Sequence, residues 1–173
     1  STSNWTTSVH YIRVLTLASA AYVASSPSAH KLANASGRAL DAWISLDPRN
    51  PAFWWNDISA PNVLGMAALL LQQMRCLGQG QLNATVRLLD RAEWWHWTGA
   101  NRQWMLEAQL KHGLLLRDEY LVNQSFFQGF QAVRIMPEHG DGIMQDGSFH
   151  QHGPQLLVSD APRCCLCSLL GSH

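Results

Sequence analysis

Apolar residues recur three and four positions apart along most of this chain, and no convincing alternating segment appears before Gly140. From Val9 to Val23 the residues Ile12, Leu15, Ala18, Ala21 and Tyr22 share one helical face. Ser36 can cap a helix running to Leu46, with Ala39, Leu40, Trp43 and Ile44 turned inward. Pro48 and Pro51 then break the pattern, and Pro61 suits the first turn of a helix over Val63–Met74. Gly78 and Gly80 mark the next turn, before an amphipathic stretch from Leu82 to Trp94. Further helices are expected over Arg102–Leu116 and Glu119–Ile135, the second interrupted at Gly129, with the glycine-rich stretch from Gly140 as loop. The pattern predicts an all-α chain of about six helices whose short turns make successive helices antiparallel hairpins.

Composition narrows the class. At 173 residues, 47% hydrophobic and 14% charged, the chain has the length of one domain and a rich core. Its formal net charge is zero, which removes the electrostatic case for nucleic acid or an anionic membrane as partner. No apolar run reaches membrane-spanning length. Glycosylation sequons at Asn4, Asn34, Asn83 and Asn123 fit an extracellular protein, although no leader segment is visible. Cys76 stands apart, and Cys164, Cys165 and Cys167 crowd together in a spacing that matches no zinc knuckle.

Three polar constellations carry candidate chemistry. "FWWN" and "WWHW" place aromatics in or beside inter-helix loops, and six of the eight tryptophans fall between Trp54 and Trp104. Trp54 and Trp55 suit the apolar faces of sugar rings, with Asn56 beside them to bond hydroxyls; closure of a bundle end is the plainer use of such residues. "TGANR" puts Asn101 and Arg102 at a helix start, where an amide and the helix dipole favour a carboxylate; a plain N-cap is the commoner use of such an asparagine. "DGSFHQH" alternates His150 with His152, with His139 and Asp141 near in sequence. No further ligand has supporting spacing, so a single histidine as proton acceptor is the simpler chemistry, and no metal or cofactor is expected.

Together these segments resemble the polysaccharide lyase family 8 enzymes, the hyaluronate, chondroitin and xanthan lyases. "FWWNDISAPNVLG" is similar to the family pattern N-W-W-W-N-x-I-G-x-P, "TGANR" to its asparagine motif, and "GDGIMQDGSFHQH" to its histidine motif G-D-G-F-x-x-D-G-S-F-I-Q-H. The resemblance implies part of an incomplete α/α toroid, followed in the full-length protein by a C-terminal β-sandwich region. It implies cleavage of acidic, uronate-containing polysaccharide by β-elimination. An asparagine there binds the uronate carboxyl group, and a tyrosine assisted by a histidine handles the C5 proton and the leaving oxygen. By matching motifs Asn101 takes the carboxylate role, His152 the histidine role, and Trp54 and Trp55 the aromatic patch.

The departures are specific. Ala52 stands where the pattern has its first asparagine, and Ile58-Ser59 replaces I-G. The family tyrosine lies shortly after the histidine; here that region reads "GPQLLVSDAPRCC", and the tyrosines are Tyr11, Tyr22 and Tyr120. The chain therefore divides into residues 1–157, a partial lyase helical domain, and residues 158–173, a dissimilar tail. Val158-Ser159 can be encoded by GTGAGT, which has the form of a splice donor, so translation of a retained intron is expected for the tail. The expectation is a lyase fragment with little or no turnover; the alternative is a non-catalytic glycan-binding helical module. A helical-repeat scaffold has no recurring signature to support it.

Overall fold

A computed structural model describes residues 6–25, 27–135 and 140–150. Among them are six α-helices: α1 (Thr6–Val23), α2 (Ser28–Leu46), α3 (Ala60–Gln73), α4 (Gln79–Leu89), α5 (Gly99–Leu116) and α6 (Glu119–Ala132). A π-helical turn, Trp54–Ser59, runs directly into α3, and a 3-10 turn, Trp94–His96, precedes α5. The expected all-α architecture of helical hairpins is the one observed. Beyond α6 a small antiparallel hairpin pairs β1 (Gly142–Ile143) with β2 (Phe149–His150), where loop alone was expected. None of the described helices is long and apolar enough to cross a membrane.

Helix α3 is the centre of the packing, with α1 on one side and α5 on the other. Its sequence is apolar nearly all round, as a helix buried on two sides requires. Tyr11, Val14, Ala18, Leu40, Trp43, Leu64 and Leu71 form one core between α1, α2 and α3. Ile58, Ala68, Leu89, Met105, Ala108 and Leu115 form a second beside α5. The α1 stripe facing that first core is Tyr11, Val14, Ala18 and Ala21, whereas Ile12 and Tyr22, expected inside, are about half exposed. Both stripes have helical spacing; contact with α2 and α3 decides between them.

Ser36 is not a cap. It lies in the middle of α2, fully buried, and donates its hydroxyl to the Val14 carbonyl at 2.8 Å. Helix α4 stops at Leu89 rather than at Trp94 because the Gln109 side chain donates to the carbonyls of Leu89 and Ala92, both at 3.1 Å. Gly129 does not interrupt α6; Gln103 donates to its carbonyl at 2.8 Å and holds the helix against α5. The α5–α6 connection is only Arg117 and Asp118: Arg117 ends α5 in a left-handed conformation (φ 58), and Asp118 caps α6 by accepting from the Leu121 amide.

Helix α6 leaves an apolar face outward. A groove of about 340 Å³ lies between α3, α5 and α6, with Trp104, Leu110, Phe126 and Phe130 among its lining residues. Phe127 and Phe130 are more than half exposed. Apolar patches of a few hundred Å² promote association. The isolated chain is therefore expected to self-associate at micromolar concentration, and the double substitution Phe127→Lys, Phe130→Lys to restore monomer. Analytical ultracentrifugation measures this, and an unaltered chain that stays monomeric across that range contradicts it.

Candidate functional site

Pro61 shapes the aromatic segment. It has no N–H, so a regular α-ladder would leave the Asp57 carbonyl unpartnered. The backbone widens instead, and the Ala60 amide donates to the Trp55 carbonyl five residues back. Asn62 supports the turn from within α3. Its amide nitrogen donates to the Ile58 carbonyl at 3.0 Å and the Trp104 carbonyl at 2.8 Å, while its oxygen accepts from Lys111 Nζ at 2.6 Å. Lys111 is buried and also bonds Glu107, and desolvation holds its pKa below the ordinary lysine value.

The two neighbouring tryptophans face different ways. Trp54 joins the second core and meets the Trp104 ring edge-on at 6.1 Å, whereas Trp55 leans against the first. Both are half-buried. Phe53 stacks on Trp97 at 4.3 Å and 19°, joining the π-turn to the turn before α5. The Trp95 ring stands out at 55% exposure. An aromatic ledge results, built from two turns that lie 40 residues apart between Trp54 and Trp94.

The Asn56 amide has a structural use. It accepts from the Asn50 amide at 2.9 Å and donates to the carbonyls of Asn50 and Ala52, at 2.6 and 3.3 Å. Those bonds fasten the proline-rich loop to the ledge, so the side chain expected to bond sugar hydroxyls is already occupied. Next to it, desolvation raises the Asp57 pKa, an effect opposed by the charges of Arg49 and Arg91.

Asn101 sits in the first turn of α5. Gly99 makes this start possible, because its φ of 54 would strain any residue with a side chain. Asn101 is 93% buried by its 7% exposure, yet its side-chain amide makes no hydrogen bond among the described residues. Trp104, one helical turn further on, carries the contact to Trp54. Thr98 is the N-cap but does not cap with its hydroxyl; it donates to Asp141 Oδ2 at 2.9 Å. That bond ties the start of α5 to the "GDG" segment. Gly142 in that segment has φ 137, again a glycine conformation.

Arg102 points to the same end. Its guanidinium lies 5.0 Å from the Trp94 ring centroid and donates to Gln128 Oε1 at 2.8 Å. Desolvation, then the nearby charge of Arg134, lowers its pKa. In the hairpin, Asp146 accepts from the Ser148 amide and hydroxyl, which holds its pKa below the usual carboxylate value. The Ser148 hydroxyl also meets His150 Nε2 at 3.0 Å. His139 and His152 lie outside the described residues, as does the tail 158–173. Among the described residues no three His, Cys, Asp or Glu side chains gather as for a metal.

The structure thus joins Trp54, Asn101, Arg102 and the "GDG" hairpin at one end of the helices. A profile of the polysaccharide lyase family 8 N-terminal alpha-helical domain matches residues 1–160. The chain belongs to that family. Chondroitinase-AC of Pedobacter heparinus is 26% identical over 161 residues, covering 91% of this chain and 23% of the relative. Hyaluronate lyase of Thermasporomyces composti is 29% identical over 168 residues, covering 87% and 20%. A solved chondroitinase AC lyase structure, with oligosaccharide complexes, superposes with a TM-score of 0.84 at 25% identity, covering 96% of this chain and 25% of that one. The chain therefore spans about a fifth to a quarter of the length of these family 8 relatives.

The motifs singled out Asn101 and Arg102 as candidates, but not what holds them. The Thr98–Asp141 bond joins residues 43 positions apart, and only the nearness of both to motifs hinted at it. Trp104 and Asn62 carried no signal beyond helical spacing.

Proposed function

We propose that this family 8 chain forms part of an incomplete α/α toroid in a lyase that cleaves uronate-containing polysaccharide by β-elimination. What carries the proposal is the assembly of an aromatic ledge, a buried asparagine with an uncommitted amide, and the hairpin tethered by Asp141, all at one end of the helices. In this reaction a base removes the C5 proton of a uronate residue. The electron pair forms the C4–C5 double bond, the C4–O bond breaks, and the leaving oxygen takes a proton. Removal of the C5 proton places charge on the carboxyl group, and a preorganised donor there lowers the barrier.

The Asn101 amide supplies that donor, aided by the positive end of the α5 dipole. Trp54 and Trp55 seat the sugar faces, Asn56 acts by holding the loop beneath them, and His152 takes the histidine role. The Tyr11 hydroxyl bonds Ser59 at 2.7 Å in the core, where burial raises its pKa. Tyr120 stands at the start of α6, the end away from Asn101, and Tyr22 at the end of α1. None of the three reaches the site as the acid/base. Such a group contributes about 10²–10⁴-fold to rate. We propose further that the full-length protein carries a β-sandwich region and works outside the cell, where exposed Asn34, Asn83 and Asn123 are acceptors for glycan.

The test combines binding and turnover. The 173-residue chain is expected to bind hyaluronate and chondroitin oligosaccharides without releasing unsaturated uronide, followed by ultraviolet absorbance. Robust product formation shows that the acid/base lies elsewhere. Equal affinity for neutral oligosaccharides removes the uronate assignment.

A further inference from the structure

The start of α5 and the adjoining end of α6 each carry an arginine, and neither guanidinium meets a carboxylate among the described residues. Arg102 donates to Gln128, lies over Trp94, and keeps its Nε buried without a hydrogen-bond partner. Arg134, just beyond α6, is exposed and among the described residues donates only to Gln131, at 3.3 Å. By contrast, Arg49 and Arg91 share Asp47 at 3.2 and 2.7 Å. Two like charges on adjoining helix ends repel, and the charge of Arg134 is close enough to oppose protonation of Arg102. The Ile135–Ile143 bridge sets Arg134 beside the hairpin whose Asp141 holds Thr98, so the pair adjoins Asn101.

We propose that Arg102 and Arg134 form a second anion-binding subsite, which takes a sulfate ester or carboxylate on a sugar neighbouring the uronate held by Asn101. An oxyanion between the guanidinium groups removes their repulsion and offers acceptors to both planar forks. Buried Arg102 Nε gains the acceptor it lacks, and Gln128 fixes the guanidinium plane. The inference rests on the β-elimination reading for its neighbour, but the roles separate by residue.

The experiment measures calorimetric affinity of the 173-residue chain for sulfated and unsulfated chondroitin tetrasaccharides. Arg134→Gln is expected to weaken binding about tenfold, the size of one charge-assisted contact, and Arg134→Lys to recover part of it. Arg134 makes one weak surface bond, so the fold should not depend on it. A loss confined to the sulfated ligand identifies the sulfate ester as the anion; an equal loss for both identifies the carboxylate. If Arg134→Gln changes neither affinity while Asn101→Ala weakens both, the subsite falls and the uronate reading stands. A loss with Arg134→Gln alone keeps the anion site and overturns the uronate reading. No binding of either ligand to the unaltered chain overturns both.

Discussion

Replacing Asn101 by alanine is expected to weaken uronate oligosaccharide binding by roughly ten- to a hundredfold, the range of a hydrogen bond to a charged group. In a longer form of the protein that turns over, the same change should lower kcat by about 10²–10³-fold, as loss of one preorganised donor does. The fold should survive it. The amide makes no hydrogen bond among the described residues, and Thr98 and Gly99 begin α5 without it. Matching calorimetry with circular dichroism separates the two effects. An alanine variant that binds as tightly as the unaltered chain would end the carboxylate role, and one that loses helix would make the residue structural.

Gly113→Ala is expected to destabilise the chain by about 1–3 kcal/mol, although alanine is the better helix former. A methyl group on Gly113 would lie 2.9 Å from the Val122 amide nitrogen and 3.0 Å from Leu121 Cβ. The first contact is with backbone, which cannot rotate aside. Helices α5 and α6 would have to separate where only Arg117 and Asp118 join them. For a domain of this size the melting temperature should fall by about 2–4 °C per kcal/mol. A melting temperature that rises would show that the hairpin yields more easily than its two-residue connection suggests. Gly80→Ala is the control, since nothing lies within 4 Å of its added carbon.

Helix number and type were legible because a 3.6-residue apolar period survives in nearly every segment. The helix ends and faces were not. Gln109 stops α4 from α5, the helix packed beside it, and no local signal near Leu89 announces it. Ser36 looked like a cap because serine often is one, yet its hydroxyl serves the contact between α1 and α2. Motif order singled out Asn101 and Arg102 as candidates, and the structure places Trp54 at the same end of the helices. The loop bonds of Asn56 were not legible, because an amide next to tryptophans suggests a ligand while the residues it bonds lie four and six positions back. Arg134 belongs to no motif, and only the return of α6 to the start of α5 makes it a neighbour of Arg102.

The π-turn sets how this segment can change in length. It holds one residue more than an α-helix would need, and each residue of helix rotates the chain by about 100°. Phe53 and Trp54 are therefore out of phase with the apolar stripes of α3 that follow them. The loop before them, residues 47–53, is fastened at Asp47, Asn50 and Ala52 but is otherwise irregular, and it can accept insertions between Asp47 and Asn50 at little cost. A deletion between Trp54 and Ser59 is different in kind. It would leave α3 seated in its two cores and swing Phe53 and the Trp54 indole about a quarter-turn away from Trp97 and Trp104. The spacing of the ledge is thus fixed by a residue count that drift in the neighbouring loop does not touch.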